Sequence, residues 1–257
     1  MEAAVNGTTC RKRGLHCRAR ASWAIAVKDM KIYYFKPAIL IFGALFPVAI
    51  FLAFMMGRNV EAAALFPGLI ALTLFFSTTT VAPFSIPWER MSRTFERLLF
   101  APVSHTDLAL GKTLSSLIFG VVMSVLPLLI GMAFFGSRVA SPWALALGII
   151  LGNACLSNLG TLVSTVGSRT PQNVMLLLNL IRLPMMFISG IFIPIGDLPT
   201  WGRVVSWFSP VSYVVDLVQK GLGFPDYFGP VTSSLMLVGF GIVMFSLSVL
   251  KMRGWSR

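Results

Sequence analysis

Six uninterrupted apolar stretches, residues 37–56, 62–87, 113–135, 142–167, 174–195 and 228–250, decide most of what this chain can fold into. The shortest has 20 residues and the longest 26. As a helix, about 20 residues rise roughly 30 Å, the thickness of a bilayer's hydrocarbon core. Of the 30 Asp, Glu, Lys and Arg residues, only Arg182 falls inside a stretch. A buried helix of a soluble domain is shorter and does not recur six times at this length. A transmembrane barrel would instead alternate in segments of about 10 residues, and no such pattern occurs. The fold class is therefore all-α and polytopic, with six membrane spans.

The net charge of +12 fits the same frame. In a soluble protein it would suggest nucleic acid; here the positive-inside bias is the simpler cause. Arg11, Lys12, Arg13, Arg18, Arg20, Lys28, Lys31 and Lys36 precede the first span. Arg90, Arg93, Arg97 and Lys112 lie between the second and third, Arg169 between the fourth and fifth, and Lys251, Arg253 and Arg257 in the tail. The opposite side holds only Arg58, Arg138, Arg203 and Lys220. That asymmetry puts both termini in the cytoplasm, in a multi-pass protein of the cell's inner (plasma) membrane with no nucleic-acid partner.

Residues 1–18 form a basic leader, expected to be disordered, and residues 19–257 the transmembrane domain. No apolar core with a small-residue cleavage site follows the leader's arginines, so it does not read as a signal peptide, and the true start can lie downstream. Cys10 and Cys17 flank His16 without a fourth ligand, so no metal site is assigned; free thiols in a reducing cytoplasm suffice. Before the first span, Trp23, Val27, Met30 and Tyr34 recur at spacings of 4, 3 and 4. This predicts an amphipathic helix in the inner interface, its lysines turned to anionic lipid, or packed on another subunit.

The segment Trp88–Phe100 predicts a short cytoplasmic helix. Trp88, Met91, Phe95, Leu98 and Leu99 share one stripe, and Glu89, Arg93 and Glu96 can pair on the polar face. Pro102 ends it. Ser104 and Asp107 then fit a capping-box start for a helix that feeds the third span. Gly111-Lys112-Thr113 matches the end of a phosphate-binding loop, but Thr106 stands where that loop needs its first glycine, and the setting is helical. The chain is thus expected to bind no nucleotide or other cofactor itself, and not to be an enzyme. Beyond the fifth span, residues 194–230 are broken by prolines and rich in Trp and Val, as expected of short helices tucked into the outer interface.

Three motifs in order on this frame carry a resemblance. Glu89-Arg90, Glu96-Arg97-Leu98-Leu99, Pro102-Val103-Ser104 and Gly111-Lys112 form the first. Ser189-Gly190, Pro194, Leu198-Pro199 and Trp201 form the second; Ser209-Pro210-Val211-Ser212-Tyr213 with Asp216 form the third. Together, over roughly residues 22–250, they resemble the membrane subunits of type-2 ABC exporters, the ABC-2 type permeases that move drugs, lipo-oligosaccharides or polysaccharides. Arg93-Thr94 departs from the Gly-Thr often found there. The resemblance implies a permease subunit that pairs with a second copy, homo- or heterodimeric, and with separate ABC ATPase subunits that use ATP and Mg. It makes Trp88–Phe100 the coupling element, with Glu89, Arg90, Arg93, Glu96 and Arg97 carrying contact to the ATPase and Arg169 a second contact. An amphiphile (drug, lipid or lipid-linked glycan) is the implied cargo.

Inside the bilayer, Arg182 lies about 12 Å into the fifth span by helix rise. A charge there costs about 2.5–3.5 kcal/mol on the insertion scale. It can serve an anionic substrate or lipid phosphate, or it can snorkel to headgroups or bond carbonyls freed by Pro184. Ser77 and Thr78, Thr79 and Thr80 form the other polar group, lining a path or bonding back to their own helix. Asn153, Asn158 and Asn179 read as helix glue, and Gly148 and Gly152 as a close-packing pair. The alternative to an ATP-driven permease is an ion-coupled transporter or channel, which usually needs carboxylates within the spans.

Overall fold

Helix follows helix along the chain, and there is no strand among the described residues. The computed structural model describes residues 15–56, 62–92, 104–134, 139–165 and 170–253. Helix α1 (Leu15–Tyr33) leads into α2 (Pro37–Leu40), a π-helical turn (Ile41–Leu45) and α3 (Phe46–Met55). Then come α4 (Ala62–Met91), α5 (His105–Phe134), α6 (Pro142–Ser164) and α7 (Pro171–Ile188). After a 3-10 turn (Ile195–Asp197), two short helices, α8 (Thr200–Ser206) and α9 (Pro210–Gly221), precede α10 (Pro230–Arg253).

Five helices are long and apolar enough to cross a membrane: residues 65–91, 106–133, 142–164, 171–188 and 230–252. The expected first span, 37–56, is split by the π turn, and its apolar helix Ile41–Phe54 falls short of that length. The described structure therefore carries five such spans plus this shorter one.

Span α4 is the hub. Nearly all of it is buried, and it touches α5, α6, α7 and α9. Pro67, Pro83 and Pro87 sit within it, tolerated because neighbouring helices and hydroxyl side chains can re-satisfy freed backbone groups. By contrast α5, α7 and α10 each leave a large apolar face uncovered, as lipid-facing helices do. The chain is a multi-pass membrane protein.

Several expected boundaries move. Helix α4 runs on to Met91, so the first turn of the expected Trp88–Phe100 helix continues the span; residues 93–103 lie outside the described residues. Helix α5 starts where the capping box predicted. The Ser104 amide donates to Asp107 Oδ2 at 3.3 Å, and the Asp107 amide donates to Ser104 Oγ at 3.2 Å. The fifth span ends seven residues early, at Ile188, because the chain turns at Gly190 with φ of +81°, a conformation glycine adopts without strain.

Helix α9 is one of the short helices expected between the fifth and sixth spans, and it is tucked deep into the bundle: Val211, Tyr213, Val214, Val215, Leu217 and Val218 are all buried, with α6 and α10 packed against it. The expected glycine pair explains how it fits. A Cβ on Gly152 would come 2.9 Å from Val214, and one on Gly148 would come 3.0 Å from Leu217. Asp216, also buried, accepts bonds from the Phe228 amide at 3.1 Å, the Tyr227 amide, and Ser233 Oγ at 2.7 Å, pinning α9 to the start of α10.

Candidate functional site

Two buried cationic centres stand out, one within the spans and one at the end of the bundle that carries α1.

The first is Arg182 on α7. Its side chain is fully buried and crosses to α4. Nε donates to Thr79 Oγ1 at 2.8 Å; Nη2 donates to Thr79 Oγ1, to Thr80 Oγ1 at 3.0 Å and to the Phe76 carbonyl at 3.3 Å. Nη1 reaches Asn179 Oδ1 at 3.4 Å, and the guanidinium carbon stands 4.9 Å from the Phe76 ring centroid. The threonine hydroxyls can accept because their hydrogens go elsewhere: Thr79 donates to the Phe75 carbonyl and Thr80 to the Phe76 carbonyl. Every acceptor is neutral. The centre gives each guanidinium nitrogen a hydrogen-bond acceptor but leaves its charge without a counter-ion among the described residues. Two separately predicted features, the threonine run and the lone arginine, thus form one centre. Thr78 is the exception, its hydroxyl pairing with Asn153 on α6.

The second centre holds four charges. Lys112 Nζ on α5 lies 2.9 Å from Asp29 Oδ2 on α1 and 2.8 Å from Glu89 Oε2 at the end of α4, and it donates to Ser85 Oγ at 3.3 Å. Lys28 closes the group, 3.2 Å from Asp29 Oδ1 and paired with Glu89. Lys112, Asp29 and Glu89 are buried; Lys28 is partly exposed. Two ammonium groups and two carboxylates balance. Burial works to lower the Lys28 pKa, but Asp29 and Glu89 outweigh it and hold Lys28 above the ordinary lysine value of 10.5. The Tyr33 phenol beside this group is pushed up by burial first, then by Glu89 and Asp29, so it stays neutral.

This cluster is where α1 joins the spans. Its buried face is Ser22, Ile25, Ala26, Asp29 and Tyr33, rather than the Trp23–Tyr34 stripe; Trp23 is 54% exposed. Ser22 Oγ donates to the Asp107 carbonyl at 3.1 Å. Gly111 lets the helices meet, since a Cβ there would come 2.8 Å from Ile25. The Gly-Lys-Thr stretch is thus a helix-packing contact with an ion-pairing lysine.

Of the residues expected to contact an ATPase, Glu89 is turned inward into this cluster, and Arg90 is half-buried in the last turn of α4. Arg93, Glu96, Arg97 and Arg169 lie outside the described residues. Asp29 and Lys112 were not among the expected site residues, though a carboxylate on an otherwise apolar helix face was a signal that it would need a basic partner. Asn158 binds helices as expected, accepting from Thr113 Oγ1 at 3.0 Å and donating to the Gly241 carbonyl at 3.3 Å. Among the described residues no group of three His, Cys, Asp or Glu side chains could hold a metal ion; Cys10 lies outside them.

The sequence profile of the ABC-2 type transporter family matches residues 19–222, most of the chain. The chain belongs to the ABC-2 type transporter family. Both centres of this ABC-2 chain fall inside that match. Curated relatives include the probable multidrug ABC transporter permease YbhR of Escherichia coli (strain K12), 24% identical over 155 residues, 60% of this chain and 42% of YbhR. The probable multidrug ABC transporter permease YbhS of the same strain is 28% identical over 153 residues, 59% of this chain and 40% of YbhS. The inner membrane transport permease YadH is 25% identical over 182 residues, 70% of each chain. The matched region thus spans less than half the length of YbhR and YbhS.

Proposed function

We propose that this chain is the permease subunit of an ATP-driven exporter, with both termini in the cytoplasm and the helical stretch 37–55 as a sixth crossing of the inner membrane. It pairs with a second permease copy and with separate ABC ATPase subunits, which use ATP and Mg. Residues 93–103, with Arg93, Glu96 and Arg97, and Arg169 between α6 and α7, contact the ATPase. Movement delivered there reaches the spans as rigid-body tilt, because this segment follows α4 directly after the ionic cluster that fastens α4, α5 and α1 together.

The observation that carries the path assignment is Arg182, a buried cation held between α4 and α7 by neutral acceptors alone. When α4 and α7 part, an anionic headgroup can replace Thr79, Thr80 and the Phe76 carbonyl and gain the full charge interaction. Thr78, Thr79, Thr80 and Arg182 then line the path of an amphiphile. The names of YbhR and YbhS support a drug-like cargo, and lipids or lipid-linked glycans share its chemistry.

The test is co-purification of the chain with a candidate ABC ATPase, then ATP hydrolysis and transport in proteoliposomes across a panel of amphiphiles. Copurification with cargo-stimulated hydrolysis is the expected result. Transport by the permease without any ATPase would reject the proposal in favour of an ion-coupled carrier.

A further inference from the structure

Around Lys36, in the turn between α1 and α2, three aromatic rings converge. Its Nζ stands 4.1 Å from the Trp88 ring centroid, 5.1 Å from Tyr33 and 5.5 Å from Phe84. Trp88 and Phe84, one turn apart on α4, stack at 5.7 Å with 11° between their planes, so they form one continuous wall. Tyr33, nearly fully buried, is the fixed second wall. Lys36 has no carboxylate partner among the described residues; the rings are what holds its charge.

The seat is open to one side. Trp88 is 37% exposed, Lys36 is partly exposed, and the neighbouring Phe35 is 87% exposed, as a side chain in contact with lipid would be. It lies at the α1 end of the bundle, where aromatic side chains favour headgroup depth. A lysine that needs a counter-charge elsewhere would have formed an ion pair; this one sits on a flexible stem in a ring-lined cup. Rings placed in this way attract any ammonium, and quaternary ammonium groups are bound by such cages.

We propose that Tyr33, Phe84 and Trp88 form an ammonium-binding cage at the membrane edge of this chain, closed in the present structure by its own Lys36, which leaves when an alkylammonium headgroup enters. The lysine acts as a tethered competitor. A seat self-occupied about nine-tenths of the time costs an incoming ligand about tenfold in apparent affinity. The ammonium can belong to a membrane lipid or to a cationic amphiphile; the cage recognises what they share. This assignment goes beyond the exporter reading and needs neither an ATPase nor transport to be tested.

The experiment uses the full chain in nanodiscs of phosphatidylglycerol, which carries no ammonium. Binding of hexyltrimethylammonium, and of its uncharged isostere in which carbon replaces nitrogen, is followed by saturation-transfer NMR. The wild type should bind the cation and not the isostere. Lys36→Ala, with Lys36→Gln as a second variant, should bind about tenfold tighter. Trp88→Leu should lose most of the binding, and Trp88→Phe, which keeps a ring and its packing, should fall between. Repeating the titration in phosphatidylethanolamine nanodiscs separates the sources: loss of probe binding in the wild type assigns the seat to the lipid headgroup, and retention assigns it to a free amphiphile. Equal binding of cation and isostere, or weaker binding in both Lys36 variants, overturns the proposal.

Discussion

The two buried cationic centres solve one physical problem in opposite ways. At the α1 end, Lys112 is desolvated but sits between Asp29 and Glu89, with Lys28 completing a neutral group of four. In the spans, Arg182 is equally buried, yet meets only hydroxyl, carbonyl and amide oxygens. Counted over the described residues, the charges of the balanced group cancel, and the group links three helices. The unbalanced one retains an attraction for any anion that reaches it. The site proposed at Arg182 therefore rests on burial without compensation, not on burial of a charge alone.

That contrast can be broken by mutation, and the largest effect belongs to the balanced group. Lys112→Met leaves two carboxylates buried against one partly exposed lysine and should destabilise the chain by about 3–5 kcal/mol, read as loss of folded protein in a detergent-unfolding titration. Adding Asp29→Asn should recover part of that loss; no recovery would mean the pair is not coupled. Next in size, Thr79→Val removes the acceptor that Arg182 uses twice and should cost about 1–3 kcal/mol in the same titration. Smaller still is Arg182→Met. It removes the uncompensated charge and the need for acceptors together, and the Thr79 and Thr80 hydroxyls keep their own carbonyl partners, so stability should change by about 1 kcal/mol or less. A loss as large as that of Lys112→Met would erase the distinction between the centres.

The smallest effect is one of pH. The folded chain holds Lys28 above its ordinary value, so the stability it contributes is complete below pH 10.5 and is lost as pH rises through the raised value. From about pH 8 to about pH 11 the wild type should lose more stability than Lys28→Met does. Equal losses would show that Lys28 adds nothing to the cluster.

The spans were legible because membrane helices must be apolar along their whole length, and α6 and α10 follow their apolar stretches within a few residues. The capping box of α5 was legible because it is local, encoded within four residues. What escaped was non-local or compensated. Asp29 and Lys112 are 83 residues apart, and nothing in either neighbourhood names the other. The depth at which α9 packs was not legible either: the burial of Asp216 is made possible by the Tyr227 and Phe228 amides just ahead of α10 and by the Ser233 hydroxyl within it, a partner set invisible in its own segment. Ile191 and Ile195 extended the fifth apolar stretch, although Gly190 had already turned the backbone. Arg182 and the threonine run were each visible, but only the packing of α4 against α7 joins them.

The central proposal is that the uncompensated guanidinium serves the cargo while the compensated cluster serves the frame. It is tested most directly by reconstituting the chain with the ABC ATPase proposed as its partner and measuring cargo-stimulated ATP hydrolysis for Arg182→Met beside the wild type, with unfolding followed in the same preparations. Stimulation by an anionic amphiphile should fall about 10- to 100-fold, the loss expected for one charged hydrogen-bonding contact, while folding and unstimulated hydrolysis hold. Full stimulation in a folded Arg182→Met complex would contradict the claim and leave the arginine as a staple between two helices.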